Sequence, residues 1–307
     1  MNSDFMKFDE RGCFLGQVDP DEYHSNKSIY TVSKSMLHEF YQSPYSYKWR
    51  LDHKKSKSSS GFAFGNMVDC MAFTPEKFEE TYFVVASKAR ANTKAAIEQK
   101  AEAVAASKSE IITVAEYEAC QEATSNLNEH MESEWGLVLN KTFLAQVAFA
   151  AKLKRMNGVS LTATGMIDVS PIAGGDLDEY LFDGKTVGQN LDNNCKLGFQ
   201  FDDFNYVGQA GMYCDGYNLA TGNNVKKKFV FLCVESVYPY RVRSVICSGV
   251  DIMIGSEWWK QATALYARCL ETNIWQGKDL GIKYGITPER KARMWMDEHG
   301  YEGGGVL

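Results

Sequence analysis

The sequence has no closely paired cysteines. Its eight cysteines are scattered and none forms a C-x-x-C pair, which argues against zinc ribbons, iron–sulfur clusters and a disulfide framework. Long apolar runs are missing as well. No segment has the length needed to span a bilayer, and Met1–Phe14 lacks the pattern of a signal peptide. We therefore expect a cytoplasmic protein with reduced thiols and no membrane contact.

An excess of positive charge is also absent. The 307 residues carry a formal net charge of −6, which is not expected of a protein that binds DNA without regard to sequence. Two local basic clusters are present, formed by Lys54, Lys55 and Lys57 and by Lys226, Lys227 and Lys228. Such runs are usually solvated faces, so contact with nucleic acid is one of two interpretations for each cluster.

The composition is otherwise that of an ordinary globular protein, with 45% hydrophobic and 23% charged residues. Periodicity and capping patterns predict helices first, then strands, a helix, two more strands and closing helices. This order favours an α/β fold in which a central mixed β-sheet is flanked by helices. We expect an N-terminal helical and irregular region over residues 1–60, packed on a core over 61–280, and a tail over 281–307.

Individual elements follow from the same patterns. Ser33 is in position to cap a helix, and Thr113 with Glu116 has the pattern of a capping box. The predicted strands are Phe143–Leu153, Leu161–Val169, Glu179–Lys185, Lys228–Ser236 and Tyr240–Val245. The predicted helices are Lys34–Tyr41, Gly61–Phe73, Lys88–Ser109, Ile112–Glu132, Asn205–Leu219 and Gly249–Trp275.

The middle of the chain has the pattern of a β-hairpin. Two apolar and β-branched runs, Leu161–Val169 and Glu179–Lys185, flank a Ser-Pro and a Gly-Gly-Asp sequence. A symmetric register about the Gly-Gly-Asp turn places Asp168 directly opposite Asp183, with Cβ atoms about 5 Å apart. Lys185 lies on the same face as Asp183, because side chains alternate along a strand.

Two carboxylates and one ammonium group are thus predicted to converge on a small patch. Like charges this close repel one another, and a divalent cation such as Mg²⁺ relieves the repulsion because hard cations prefer carboxylate oxygens. Aspartate is also uncommon within apolar strands unless it has a specific role. The alternative is a solvated ion-pair cluster of little energetic value. The polar stretch Val187–Phe204 is expected to lie over this patch.

Two helices carry further polar candidates. Asp69 is the sole charged residue of the apolar run Gly61–Phe73, and it is predicted either as a hydrogen-bonded core carboxylate or as a metal ligand that faces the hairpin. On a later helix Gln209, Tyr213 and Tyr217 recur every four residues and form one stripe. The alternative for this stripe is a mixed core face, with the tyrosines packed and the glutamine in solvent.

The order of these motifs resembles the PD-(D/E)XK nuclease superfamily. Asp168 is followed by Asp183-Gly184-Lys185 on the second strand and then by Gln209-x-x-x-Tyr213 on a helix. Within that superfamily the chain is similar to the exonuclease VIII (RecE-type) phage recombination nucleases over roughly residues 23–275. The motifs of this narrower resemblance are Ser33-Lys34-Ser35 with Ser43-Pro44, Phe64-Gly65-x-x-x-Asp69, and Lys228-Phe-Val-Phe-Leu232.

The resemblance implies a restriction-endonuclease-like core and a role for each matching residue. The ligands of one or two divalent ions, Mg²⁺ or alternatively Mn²⁺, would be Asp69, Asp168, Asp183 and the backbone carbonyl of Gly184. Lys185 would orient the attacking water or help to deprotonate it, and would offset charge in the transition state. Gln209 and Tyr213 would position the substrate backbone or Lys185. Asp69 departs from the family, which typically has a histidine there.

The implied activity is that of a metal-dependent exodeoxyribonuclease. Members of the family degrade linear double-stranded DNA, 5′→3′, and leave 3′ overhangs for recombination by strand annealing. They are homo-oligomeric rings threaded by DNA, they work beside a single-strand annealing protein, and a phage-encoded member acts in the host cytoplasm. A ring needs positive charge only in its channel or at the entrance, where we expect the two lysine clusters.

Two alternatives stay open. The first is a structure-specific or nicking endonuclease on the same core, which would cut covalently closed circles. The second is a DNA-binding recombination protein that kept the fold and lost the chemistry. The departure at Asp69 keeps this second alternative open, whereas the intact Asp168, Asp183 and Lys185 argue against it.

Overall fold

The computed structural model describes residues 6–25, 28–53, 63–156, 158–188, 191–223 and 226–275. Within these ranges a seven-stranded mixed sheet lies between layers of helices. The predicted basic cluster of Lys54, Lys55 and Lys57 lies outside the described residues, as does the predicted tail. No helix in the described part of the chain combines the length and the apolar character that crossing a membrane requires.

The strands are β1 (Cys13–Gln17), β2 (Thr31–Val32), β3 (Tyr82–Val85), β4 (Glu110–Thr113), β5 (Phe143–Lys152), β6 (Thr162–Pro171), β7 (Tyr180–Val187), β8 (Lys228–Glu235) and β9 (Val242–Ile246). The strands of the main sheet lie in the spatial order β1-β5-β6-β7-β8-β9, and β2 pairs in parallel with β6. β3 and β4 pair with each other in a separate sheet. The expected mixed sheet flanked by helices is confirmed, and the N-terminal region, predicted as helical and irregular, also supplies β1 and β2.

Ten helices are found in the described residues, and they cover both faces of the main sheet. They are α1 (Pro20–Ser25), α2 (Lys34–Gln42), α3 (Pro44–Asp52), α4 (Ala63–Phe73), α5 (Pro75–Thr81), α6 (Lys94–Ala105), α7 (Val114–Trp135), α8 (Asn194–Asp203), α9 (Tyr206–Thr221) and α10 (Gly249–Thr272). Helices α4 and α7 pack on one face, and α8 and α9 pack on the other.

The strand β8 shows why a continuous apolar run marks the centre of the sheet. Phe229, Phe231 and Cys233 pack in the layer that contains α9, while Val230 and Leu232 pack in the layer that contains α4 and α7. A strand that is buried on both faces needs apolar side chains at successive positions. Because β7 pairs in parallel with β8 over its whole length, its alternate residues point into the same two layers.

The predicted capping box is confirmed at the start of α7. The hydroxyl of Thr113 accepts a hydrogen bond from the backbone N–H of Glu116, whose carboxylate accepts one from the backbone N–H of Thr113. The predicted helix Lys88–Ser109 is shorter than expected. Thr93 caps α6 through a hydrogen bond from the backbone N–H of Ala96, so the preceding residues stay outside the helix.

The polar stretch Val187–Phe204 contains more regular structure than expected. Its second half forms α8, which begins after the cap residue Asn193. Leu197 is buried in the layer beneath, and the ring of Phe201 packs edge-on against the sheet residue Phe231. The two apolar side chains are four residues apart, which is the helical spacing, but a single turn of such a pattern is a weak signal within a polar segment.

Candidate active site

The predicted hairpin is present in the predicted register. Val169 pairs with Phe182, and in this register Asp168 stands opposite Asp183. In the described residues this is the only backbone pair between β6 and β7. Beyond it, on the side away from the turn, the backbone N–H of Gly184 donates to Oδ2 of Asp168 over 2.9 Å. The hairpin therefore opens at its two carboxylates.

Asp183 lies on the face of β7 that is covered by α9, and its side chain is almost fully buried at 2% exposed. Its Oδ1 accepts a 2.6 Å hydrogen bond from Nε2 of Gln209, and its Oδ2 forms an ion pair with Lys185. The ammonium of Lys185 also donates to the backbone carbonyl of Gly184 over 2.9 Å. Asp183 is therefore a buried carboxylate with a donor on each oxygen, which is the condition for keeping a charge inside a protein.

The charge of Lys185 is favoured by its surroundings. Burial opposes the ammonium form, but the carboxylates of Asp183 and Asp168 outweigh burial and raise the pKa of Lys185 above its ordinary value. The ammonium also lies over the ring of Tyr206, with Nζ 5.4 Å from the ring centroid. Lys185 is consequently a fixed positive charge at the open end of the hairpin.

Asp168 has a different environment from Asp183. Burial, followed by the negative charge of Asp183, raises the pKa of Asp168 well above its ordinary value. Its two oxygens accept hydrogen bonds from the strands on either side. Oδ2 accepts from Gly184 on β7, and Oδ1 accepts from Nε2 of Gln146 on β5 over 3.2 Å. Sequence reasoning did not single out Gln146, because no local pattern shows which residue of β5 lies opposite Asp168.

Helix α4 brings Asp69 to the other side of Gly184. A Cβ atom on Gly184 would lie 3.2 Å from Oδ1 of Asp69 and 3.0 Å from the ring of Phe73, so the missing side chain allows the helix to approach closely. In the described residues Asp69 has no hydrogen-bond donor. The structure therefore does not support the alternative of a hydrogen-bonded core carboxylate. Burial raises the pKa of Asp69 to about 7, with Lys185 lowering it and Asp183 raising it.

The stripe on α9 joins the site at one end. Gln209 is 5% exposed and donates to Asp183, so the alternative of a solvent-facing glutamine is wrong. The hydroxyl of Tyr213 hydrogen-bonds the backbone of Met166, and its ring packs edge-on against two phenylalanine rings of the sheet. Tyr217 is one turn further from the site and packs against a lysine ammonium. The stripe is therefore buried at Gln209 and Tyr217 and half-buried at Tyr213, and its first member contacts a carboxylate of the hairpin.

A cavity of about 460 Å³ opens onto these residues. Asp69, Lys185, Gln209 and Tyr213 line it, whereas Asp168 and Asp183 lie behind the lining. A second lysine, Lys34 at the start of α2, also reaches the cavity. The cavity wall therefore carries two lysine side chains beside the carboxyl group of Asp69.

Lys34 and Lys185 share an aromatic neighbour. The ammonium of each lies 5.4 Å from the centroid of Tyr206, and that of Lys34 also donates to the carbonyl of Phe204 over 2.5 Å. Burial, followed by the positive charge of Lys185, lowers the pKa of Lys34 to about 7. Sequence reasoning noted Lys34 only as part of a motif. The sequence pattern could have indicated Tyr206, because Tyr206 precedes Gln209 by about one helical turn on α9.

The basic cluster that precedes β8 is mostly paired. Lys227 is only 8% exposed, and its ammonium forms an ion pair with Asp178 and donates to the backbone carbonyl of the same residue. Lys228 forms an ion pair with Glu179 over 2.6 Å. Lys226 is exposed. Lys227 is thus a largely buried side chain that pairs with a half-exposed carboxylate. Contact of this cluster with DNA stays a prediction, and Lys226 and Lys228 are its exposed members.

The donor set fits a divalent cation chemically. Asp69, Asp168 and Asp183 act on one another electrostatically, and burial together with this repulsion raises the pKa of the first two, so a doubly charged cation would relieve the site. Each carboxylate oxygen that accepts one hydrogen bond keeps a further lone pair for a cation.

The donors are not, however, arranged as a preformed metal site. Across the ranges that the structure describes, no three His, Cys, Asp or Glu side chains are placed so that they could hold a metal ion together. Two of the predicted ligands, Asp183 and the carbonyl of Gly184, have the ammonium of Lys185 as a partner. The predicted ligand set is therefore brought into one region by the fold, and its use by a metal stays a prediction.

Comparison with known proteins bears on the fold. No protein-family model and no curated protein matches this sequence. A solved structure does match it, that of a “putative exonuclease” from Eubacterium rectale, with a TM-score of 0.55 and 13% sequence identity. The match covers 92% of this chain and 98% of the other. At this identity the likeness shows a common fold, which extends over nearly the whole of both chains.

Proposed function

We propose that this protein is a metal-dependent nuclease that degrades linear double-stranded DNA from its ends. The observation that carries the proposal is the opening of the hairpin at Asp168 and Asp183, with Lys185 beside them and Asp69 approaching from α4. The fold shared with the “putative exonuclease” from Eubacterium rectale supports the same class of activity. Phosphodiester hydrolysis needs a source of nucleophilic hydroxide and a positive charge near the developing oxyanion.

Different residues of the chain would supply the different requirements of phosphodiester hydrolysis. Asp69, Asp168 and Asp183 would hold Mg²⁺ or Mn²⁺, which when bound lowers the pKa of a water molecule and offsets negative charge on phosphate. Lys185 presents a fixed ammonium to the cavity and, in our proposal, orients the attacking water. Gln209 holds Asp183 through Oδ1, so that carboxylate keeps one orientation.

The finer assignment rests on the sequence motifs. We propose a PD-(D/E)XK core of the RecE type, which would act 5′→3′ and leave 3′ overhangs for strand annealing. A ring of identical subunits would place DNA in a central channel, with a single-strand annealing protein as its partner. The exposed residues Lys226 and Lys228 are candidates for the DNA-facing surface of such a channel.

The deciding experiment compares two matched carboxylate variants. Purified wild type, Asp183→Asn and Asp215→Asn are incubated with linear and covalently closed duplex DNA in Mg²⁺, Mn²⁺ or EDTA. Asp215 is the control because its carboxylate accepts hydrogen bonds from Ser256 and Trp259 at the α9–α10 contact, away from the cavity. We expect metal-dependent loss of the linear DNA only, slowed at least about 10³-fold in Asp183→Asn and close to the wild-type rate per folded molecule in Asp215→Asn.

Other outcomes assign other functions. Cutting of the closed circle would show an endonuclease. A second candidate, a DNA-binding protein without hydrolysis, is favoured by one observation, namely the absence of a preformed metal site among the described residues. Retained DNA binding with no cleavage in either metal would establish that candidate and overturn the nuclease proposal.

A further inference from the structure

Gln146 has a backbone conformation that no other residue of β5 shares. Its φ is +53°, in the left-handed region, although it lies in the middle of a ten-residue strand. The ladder between β5 and β6 runs from the pair Ala145–Val169 to the pair Val147–Ile167 and omits the pair between them. The omitted pair is Gln146 with Asp168. Such a conformation persists at a non-glycine residue only where the surrounding structure imposes it.

The side chain of Gln146 compensates for the missing backbone pair. Its amide Nε2 donates to Oδ1 of Asp168 over 3.2 Å, while the backbone N–H of Gly184 donates to Oδ2 over 2.9 Å. Asp168 thus lies at a gap in the ladder on both sides, and each neighbouring strand sends one donor to its carboxylate. With both oxygens occupied from opposite directions, the carboxylate plane has little freedom to rotate.

The chemical type of this donor also matters. Asp168 faces the negative charge of Asp183, and Lys185 supplies a positive charge to both carboxylates. A further lysine in place of Gln146 would compete with a cation for the same oxygens, and a glutamate would add repulsion. A neutral amide orients the carboxylate and leaves its charge available.

We propose that Gln146 is a positioning residue that holds Asp168 for a divalent cation, and that its left-handed backbone serves to aim its amide at that carboxylate. The inference rests on the proposed function, because it gives Asp168 the role of a metal ligand. Gln146 acts through Asp168. Residues that orient metal ligands in this way typically change metal affinity or activity about 10- to 100-fold when they are replaced.

The test separates the hydrogen bond from the backbone conformation. Gln146→Leu removes the donor and keeps a side chain in the left-handed conformation, whereas Gln146→Gly removes the donor and suits that conformation. Gln261→Leu is the matched control, since Gln261 lies on α10 and its amide contacts Glu257. Mn²⁺ is titrated calorimetrically into each full-length protein without DNA, and thermal unfolding is recorded in EDTA.

We expect both Gln146 variants to bind Mn²⁺ at least about tenfold more weakly than the wild type, and Gln261→Leu to bind it equally. In EDTA Gln146→Gly should unfold at a higher temperature than Gln146→Leu, because only the leucine keeps the strained backbone. A purely structural role would instead tie affinity to stability, so the more stable variant would recover wild-type binding.

Two results would overturn the inference. One is a wild-type protein that binds no Mn²⁺, and the other is wild-type affinity in both Gln146 variants. DNA cleavage by the wild type is scored separately. If the wild type cuts linear DNA and the Gln146 variants have unchanged Mn²⁺ affinity, only this inference fails. If Mn²⁺ binding depends on Gln146 but no DNA is cut, the inference stands and the proposed function fails.

Discussion

The strands β7 and β8 are parallel neighbours paired residue for residue, yet their side chains differ in kind. Asp183 pairs with Phe231, and Lys185 pairs with Cys233. β8 is laddered on both sides, to β7 over eight residues and to β9 over five. β7 is laddered fully on its β8 side, but on its β6 side a single backbone pair is found among the described residues.

This difference shows where the sheet can hold charge. From Val230 to Val234, where β8 is paired on both sides, its side chains are apolar and enter the two apolar layers. Where β6 and β7 separate, backbone and side-chain donors become available to carboxylates, as Gly184 and Gln146 are to Asp168. Buried charge is tolerated when such donors are present. The candidate site is therefore a consequence of incomplete strand pairing as much as of its acidic residues.

Removing the positive charge from β7 should have a strong effect on DNA cleavage. In Lys185→Met the side chain keeps its length and loses its ammonium, so we expect cleavage of linear DNA to fall about 10²- to 10³-fold. Lys152→Met, at the exposed end of β5, is the matched control and should cleave normally. Rates are measured per folded molecule, with folding checked by circular dichroism. A Lys185→Met protein that cleaves as fast as the wild type would remove the lysine from the mechanism.

A substitution in the neighbouring strand β8 should lower the stability of the fold without changing the rate of DNA cleavage. Leu232 on β8 pairs with Gly184 and is fully buried, so Leu232→Ala leaves a cavity and should lower the free energy of unfolding by about 2–5 kcal/mol. Cleavage per folded molecule should stay close to that of the wild type, because Leu232 packs in the apolar layer with α4 and α7 and does not line the cavity. Urea unfolding and cleavage assays on the same sample measure both. A rate loss without a stability loss would show that β8 shapes the site directly.

Much of this arrangement could be predicted because it depends on local rules. The register of the hairpin follows from the symmetry of its turn, and alternation along β7 places Asp183 and Lys185 on one face. The capping box at Thr113 is likewise readable, since both of its members lie within one helical turn.

The remaining features depend on contacts between distant parts of the chain. A register derived from a symmetric turn assumes a complete ladder between the two strands. It therefore does not predict that β6 and β7 separate beyond Val169. Lys34 reaches the site through a contact with the carbonyl of Phe204, 170 residues away. Lys227 is buried against Asp178, 49 residues away, so a basic run that appears solvent-exposed in the sequence is partly internal. Such pairings are set by tertiary packing, which local patterns do not encode.

A smaller effect is expected on the pH dependence of the free energy of unfolding when no metal is bound, because a buried carboxylate is costly to ionise. Burial raises the pKa of Asp69 to about 7, so between about pH 4 and 7 the folded protein binds a proton that the unfolded chain releases. The free energy of unfolding should therefore fall as the pH rises through this interval. In Asp69→Asn the fall should be shallower, by on the order of 1 kcal/mol between pH 5 and pH 7.

Urea unfolding in EDTA at pH 5 and pH 7 measures this difference, with Asp52→Asn on the exposed end of α3 as the control. The scan stops at pH 7 because Lys34, whose pKa is lowered to about 7, titrates with the opposite sign above it. Parallel curves for wild type and Asp69→Asn would mean that burial does not raise the pKa of the Asp69 carboxyl on α4. In that case the proposed binding of a metal would rest on the opened end of β6 and β7 alone.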